Sequence, residues 1–297
     1  MTQPTRCDLV VNPTAGRGSA GRALPEVEYA LRALLPDTEL RIVRAPDPAE
    51  SEAACRRGVD EADLLLVMGG DGMAHIGINA CAQTDVPLGV LPAGTGNDLC
   101  RGLGLPLQLS AAVAAVATGQ TRTIDLARVQ RPDGSTHWVG CVVSTGFDSR
   151  VAIRAGRIRL PLGALGYGYA ALAELSTFRP LTYRLVIDGE PRDLASMCIF
   201  VCNSEFFGGG MRAYPGANPH DGLLDLTVIH PVSRGTLLRL LPELYTGGFV
   251  RHPAIERFQA REVTLDGDGL IGTGDGELLG EVPLTVTAAP GALLVRY

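Results

Sequence analysis

Four short apolar runs fall within the first 91 residues, CDLVVN (7–12), LRIVRA (40–45), DLLLVM (63–68) and PLGVL (87–91), and helix-like stretches separate them. The stretches are Pro25 to Leu35, Pro48 to Gly58 and Gly72 to Gln83. A continuous apolar run suits a strand buried on both faces, and strands alternating with helices are the pattern of a parallel sheet covered on each side. Pro25 and Pro48 fit a first helical turn, where the missing N–H costs little.

The pattern changes after an Ala-rich helical stretch at 110–118. The runs TIDLARVQ (123–130), HWVGCVVST (137–145), LTYRLVID (181–188), ASMCIFVCN (195–203), LLDLTVIH (223–230) and REVTLDGD (261–268) follow, with turns such as Pro132-Asp133-Gly134 and Asp188-Gly189 between them. This predicts a mostly antiparallel region, interrupted by helices near 163–178 and 233–246, and a boundary near 122–130 without a low-complexity linker. No internal repeat is present.

Chemistry enters with the loops that end the apolar runs. In Val67 to Met73, VMGGDGM, a strand ends in three glycines around one aspartate and a helix begins. Such a turn lets the backbone approach a ligand closely, while the new helix offers N–H groups and the positive end of its dipole to a phosphate chain. After the next strand comes Leu91 to Gly104, LPAGTGNDLCRGLG, with Thr95, Asn97 and Asp98 as polar groups, and the first strand runs into Asn12 to Gly18, NPTAGRG, with Arg17. In a parallel sheet these loops leave the same edge, where ligands bind.

Composition limits how phosphate could be held. All 26 basic residues are arginine, which excludes a Walker A lysine, the strand lysine of a protein kinase and any lysine Schiff base. Arginine, backbone N–H groups or a metal must do that work. With 32 acidic residues the net charge is −6, and no stretch supplies the basic stripe of a nucleic-acid binder. The seven scattered cysteines make no disulfide framework, and MTQPTRCDLVVNP lacks a signal-peptide core, so a cytoplasmic setting is expected. Gly102 to Thr121 has the length of a membrane span but contains Pro106, Gln108 and Ser110, and reads as loop followed by buried helix.

Gly69-Gly70-Asp71-Gly72 followed by Pro92-Ala93-Gly94-Thr95-Gly96-Asn97-Asp98 resembles the catalytic domain of diacylglycerol kinases and the related sphingosine and bacterial lipid kinases. The resemblance extends nearly end to end, through Asn12-Pro13 with Gly16, Ile124-Asp125-Leu126, Asp221-Gly222-Leu223-Leu224-Asp225 and Asp275-Gly276-Glu277. It implies a three-layer α/β domain over 1–125 that binds ATP and a β-sandwich lipid-substrate domain over 126–297, the last residues returning to the first, with the nucleotide in the cleft between them. The implied activity is transfer of the γ-phosphoryl group of ATP to a lipid alcohol, diacylglycerol first among candidates, giving phosphatidic acid.

Carried over by position, Asp275 is the implied base for the lipid hydroxyl. The implied nucleotide set is Asn12, Gly16, Arg17, Gly69, Gly70, Asp71, Gly72, Gly94, Thr95, Asn97, Asp98, Asp125 and Glu277, and Asp221 with the Leu223 carbonyl is similar to a structural Mg²⁺ site beside the cleft. Access to lipid is expected to be peripheral, at the inner face of the membrane, and a homodimer stays open. The family pattern GGDGT is broken at Met73, where a thioether replaces a hydroxyl and cannot donate.

Other readings stay open. Asp71 and Asp98 also fit helix caps, Asp125 a strand surface, and Asp275 and Glu277 simple hairpin turns, as Asp266 and Asp268 do. His75 fits a helix face. Arg150, Arg154, Arg157 and Arg159 fit a solvated helix end or an anionic-lipid contact, and Phe206 to Met211 a packed loop or a lipid entrance. A sphingoid-base kinase, an NAD kinase and a nucleotide-binding regulator without turnover are the competing functions.

Overall fold

The computed structural model describes residues 4–156, 170 and 173–297. The helix expected over 163–178 falls largely outside those residues, as do Arg157 and Arg159. The chain forms two compact units: one holds the residues up to Leu126 with Pro219–Asp221 and Ala289–Tyr297, the other Ala127–Asn218 and Gly222–Ala288.

In the first unit, β1 (Arg6–Val11), β2 (Glu39–Arg44), β3 (Leu64–Gly69) and β4 (Leu88–Pro92) pair in parallel in the order β2-β1-β3-β4. Val295, near the end of the chain, adds alongside Leu88. The period-2 alternation of a strand divides β3 between two layers. Leu64, Leu66 and Met68 pack with Leu24, Val27 and Leu31 of α1 (Ala15–Leu34) and with Val113 and Val116 of α5 (Leu109–Thr118). Leu65 and Val67 instead lie against Gly58 of α2 (Pro48–Glu61) and Gly77 of α3 (Asp71–Cys81). The stretch 102–121 is therefore α4's end (α4, Asp98–Gly102), a loop and a helix buried at Ala112, Val113, Val116 and Ala117. No helix among the described residues is long and apolar enough to cross a membrane.

Pro48 occupies the first turn of α2, whose N-cap Asp47 accepts from the Glu50 N–H at 2.9 Å. Pro25 does not open a helix. It lies inside α1, whose regular turns begin after the left-handed residues Gly16, Arg17 and Gly18 and so already run ahead of the proline.

In the second unit, a six-stranded antiparallel sheet runs β14 (Ile255–Ala260), β13 (Leu224–Ile229), β10 (Cys198–Cys202), β7 (Val142–Gly146), β16 (Ile271–Gly274), β17 (Glu277–Glu281). A second antiparallel set joins β9 (Glu190–Ser196), β8 (Leu181–Ile187), β15 (Glu262–Asp266) and the first half of β18 (Leu284–Arg296). The end of β5 (Thr121–Gln130) pairs with β6 (Thr136–Val139). One core lies between the layers, with Val143, Ile199, Val201 and Leu226 from one and Tyr183, Leu185, Val263 and Val286 from the other. This is sandwich packing. The run 137–145 is not one strand: it breaks at Gly140–Cys141, between β6 and β7.

Candidate functional site

Three loops converge at the carboxyl ends of β1, β3 and β4. The Asn12 N–H donates to the Met68 carbonyl (3.1 Å), and its Oδ1 accepts from the Thr14 N–H (2.9 Å) and hydroxyl (2.7 Å), an Asx turn that starts the first loop. Gly16, Arg17 and Gly18 then all take left-handed backbone, with φ of 58°, 58° and 81°. A Cβ on Gly16 would lie 2.2 Å from the Ala93 carbonyl oxygen, so only glycine lets the first loop meet the third. Arg17 is exposed and, as a non-glycine at positive φ, carries backbone strain of a kind concentrated at binding sites. Arg22, one turn into α1, donates from Nη1 to the Arg17 carbonyl at 3.3 Å and adds a second guanidinium to this loop. The sequence reading missed Arg22; its spacing after a Gly-rich turn was the available signal.

The second and third loops touch backbone to backbone. The Ala93 N–H donates to the Gly69 carbonyl (2.7 Å), and a Cβ on Gly94 would sit 2.4 Å from the Gly70 Cα. Asp71, first residue of α3, reaches across with both carboxylate oxygens: Oδ2 accepts from the Asn97 N–H (3.0 Å) and Oδ1 from the Asp98 N–H (2.6 Å). Asp71 thus satisfies the amides that open α4. Asn97, at φ 55°, closes the loop on itself, accepting from the Gly94 N–H and donating to the Gly94 carbonyl, each at 3.1 Å. Thr95 is exposed at the loop tip, and the Gly96 carbonyl accepts from Arg101 Nε at 2.9 Å. Gly70 is the N-cap of α3, and its carbonyl accepts from the Met73 (3.0 Å) and Ala74 (3.1 Å) N–H groups, so only the amides ahead of Met73 precede the helix's own hydrogen-bond ladder. The Cys100 thiol is pushed up to about 12, first by burial and then by the Asp71 carboxylate.

Met73 is 4% exposed, and its Cγ lies 2.4 Å from where a Gly69 Cβ would be. Its thioether packs down on the end of β3, so the side chain that departs from the family pattern is part of the packing beneath the loop. His75 is also largely buried, on α3 beside Asn79.

Asp125 is buried, not on a strand surface. Its N–H donates to the Pro219 carbonyl and its Oδ1 accepts from the Gly291 N–H, both at 2.8 Å. It fastens the two returning segments to the first unit, where His220 Nδ1 also lies 3.1 Å from the Thr123 carbonyl. Asp221 is exposed and Leu223 half-buried.

Asp275 and Glu277 belong to the second unit. Asp275 (φ 51°) and Gly276 (φ 89°) are the two loop residues of the β16–β17 hairpin, since Gly274 pairs with Glu277. Two successive positive φ values are the type I′ geometry that Asp-Gly favours. The Asp275 carboxylate accepts from three consecutive amides, Gly140 (2.8 Å), Cys141 (2.8 Å) and Val142 (3.2 Å), and its own N–H donates to the Val142 carbonyl (3.1 Å). Those amides turn toward a side chain, which is why the run 137–145 splits into two strands. Glu277 is exposed. Asp266 is not a turn residue: it ends β15, paired with Arg184 of β8, and is held below the usual carboxylate range chiefly by its hydrogen bond from Arg184.

Arg154 pairs with Glu174, and Arg150 lies 5.4 Å over the Phe178 ring, so both basic residues have partners within the unit. Among the described residues no group of three or more His, Cys, Asp or Glu side chains is arranged to hold a metal.

Two family models match the chain: the diacylglycerol kinase catalytic domain over residues 6–129 and the YegS C-terminal NAD kinase beta sandwich-like domain over 141–297. A diacylglycerol kinase of Mycobacterium tuberculosis (strain ATCC 25618 / H37Rv) is 41% identical over 245 residues, 82% of this chain and 78% of that protein. A Stenotrophomonas maltophilia (strain K279a) protein named "Probable lipid kinase YegS-like" is 28% identical over 287 residues, covering 91% of this chain and 90% of its own. The fold matches a crystal structure of a diacylglycerol kinase from Bacillus anthracis str. Sterne with a TM-score of 0.77 at 20% identity, over 100% of this chain and 98% of the other.

Proposed function

This chain belongs to the diacylglycerol kinase family, and from that premise we propose that it transfers the γ-phosphoryl group of ATP to the hydroxyl of a lipid alcohol, with diacylglycerol the leading acceptor. The observation that carries the reading is the joining of three glycine-bearing loops at one sheet edge, tied by the Asp71 carboxylate to the Asn97 and Asp98 amides. Phosphoryl transfer asks mainly for positioning and charge neutralisation. In this reading the amides of Gly69 to Gly72 cradle the phosphates, and Arg17 and Arg22 supply the positive charge that lysine supplies elsewhere. Asp71 and Asn97 act by holding the loops together; Asp98 and Thr95 line the edge.

Mg²⁺ would supply further neutralisation of phosphate charge when bound. Asp221, exposed, offers one carboxylate of the oxygen class it prefers and would suit a structural ion that keeps several waters, distinct from one on the phosphates. Asp275 is proposed to accept the alcohol proton. Three amides fix the direction of its carboxylate, and for a carboxylate acting on an alcohol, placement matters more than basicity. Lipid would be met peripherally.

The test is a radiolabelled-ATP screen over diacylglycerol, sphingoid bases, NAD and sugars with wild type, Asp71→Ala and Asp275→Asn. Label in a lipid is expected, and Asp275→Asn, in protein shown to be folded and to bind ATP, should lose roughly 10² to 10⁴ in turnover, with a somewhat lower melting point because an NH₂ group replaces one of the oxygens that accept from Gly140 to Val142. Label only in NAD or sugar, or ATP binding without transfer to any acceptor, refutes the lipid kinase reading. Full turnover by Asp275→Asn refutes the base.

A further inference from the structure

Asn203 closes the run ASMCIFVCN and follows directly on β10, whose last ladder pair is Cys202 with Val142 of β7. It is 1% exposed. A side-chain amide that deep is costly unless it is hydrogen-bonded, and here the bond goes to main chain: Nδ2 donates to the Gly140 carbonyl at 2.9 Å. The ladder does not simply continue past Cys202. The N–H groups of Asn203 and Ser204 converge instead on one carbonyl, that of Cys141, at 2.8 and 3.1 Å.

Those two carbonyls belong to the peptide units that hold Asp275. The unit joining Gly140 to Cys141 takes Asn203 Nδ2 on its oxygen and gives its N–H to Asp275 Oδ1 at 2.8 Å. The unit joining Cys141 to Val142 takes the Asn203 and Ser204 amides on its oxygen and gives its N–H to the same Oδ1 at 3.2 Å. A peptide unit is planar, with its oxygen and its N–H on opposite sides, so fixing the oxygen fixes the direction of the N–H. Gly140, without a Cβ, offers the first unit little resistance to turning, which leaves that work to the bond on its oxygen. A carbonyl that accepts a hydrogen bond also makes the N–H of its own unit a stronger donor.

We propose that Asn203 is a positioning residue for Asp275. Through the two peptide units it aims, it sets where the carboxylate stands against the hydroxyl of the acceptor. The proposal rests on the reading of Asp275 as the base. It assigns to the end of β10 a part in turnover beyond ending a strand, because a group that must meet a hydroxyl within hydrogen-bond reach is sensitive to shifts of about 1 Å.

The test is a double-mutant cycle on the full chain: wild type, Asn203→Ala, Asp275→Asn and the pair, each shown to be folded by calorimetry. Turnover is measured with ATP and the lipid alcohol that takes label in the acceptor screen, dioleoylglycerol first. Asn203→Ala is expected to lower kcat by about tenfold to a hundredfold while KM for ATP and for the lipid each stay within about threefold. In the Asp275→Asn background the same substitution should change kcat by less than about threefold, since the group it positions is already gone. A side chain that only packed the end of β10 would cost the same factor in both backgrounds. Should Asn203→Ala not fold, Asn203→Ser, polar but one bond short of the Gly140 carbonyl, runs the same cycle. A kcat within about threefold of wild type in the folded variant, or an equal loss with and without the Asp275 carboxylate, overturns the positioning, and an impaired Asp275→Asn then leaves the base standing. Wild-type kcat in Asp275→Asn removes the base and this proposal together, and label in no lipid removes both along with the kinase reading.

Discussion

Gly94 and Gly70 meet at one backbone contact, and the two sides of that contact are unequal. A methyl added at Gly94 would stand 2.4 Å from the Gly70 Cα, 3.0 Å from Asn97 Oδ1 and 3.4 Å from the Gly70 nitrogen; one added at Gly70 would stand 3.3 Å from the Gly94 Cα. Neither glycine has a positive φ, so the difference is steric and not conformational. Gly94→Ala falls about 1 Å short of ordinary contact against backbone, which cannot rotate away, whereas Gly70→Ala asks for a few tenths of an ångström. Overpacking of the first kind costs about 1–3 kcal/mol, and the entropy lost from the unfolded chain on replacing glycine returns about 0.4–1. Gly94→Ala should therefore lower the melting point by roughly 2–6 °C and weaken ATP by at least about tenfold, because the shifted loop also loses the paired Asn97 bonds. Gly70→Ala should stay within about 2 °C of wild type. Differential scanning calorimetry and calorimetric ATP titration read both quantities. If Gly94→Ala matches wild type in both while Gly70→Ala fails in both, the account of how these loops meet is wrong.

Met73→Thr, which restores the family hydroxyl, should cost about 1–2 kcal/mol by thinning the packing under Gly69 while leaving ATP affinity within about threefold; a large gain in affinity by titration would show that position facing the nucleotide. Asp71→Ala leaves two loop amides without their carboxylate and should destabilise by about 2–4 kcal/mol in denaturant melts; stability equal to wild type would remove Asp71 from its bridging role. Burial pushes the thiols of Cys7, Cys55 and Cys100 up to about 12, above the unfolded value near 8.5, so the native state keeps protons that the unfolded chain loses. Their contribution to stability is whole below about pH 8.5 and falls as pH rises toward 12, visible as a falling melting point between pH 8 and 11. All seven buried thiols should resist Ellman's reagent at about pH 8 until denaturant is added, and rapid native labelling would contradict their burial.

How much of this was legible in the chain follows from the range of the forces involved. The strands of the first unit and their parallel direction, though not their order in the sheet, were readable because buried runs and helix starts are local: Pro48 marks a first helical turn whatever surrounds it. Pro25 misled because the regular part of α1 begins just after the left-handed stretch Gly16–Gly18, ahead of the proline, and nothing in the local sequence says where a glycine run will bend. The bridge from Asp71 to the amides of Asn97 and Asp98 joins positions 26 and 27 residues apart, and the clasp of Asp275 on Gly140 to Val142 joins positions more than 130 apart.

Sequence by itself determined the covalent and statistical facts: arginine as the only basic side chain, glycine where loops must touch, and a motif set that carries family membership. The tertiary structure decided which partners those groups have. Asp125 could be an exposed strand residue or a fastening point, Met73 a missing ligand or a packing residue, and the helix Arg234–Thr246 any amphipathic helix until Leu237, Leu240 and Leu244 were buried. Hydrogen bonds and packing act over a few ångströms in space, without regard to distance along the chain, so those choices exist only once the chain has folded.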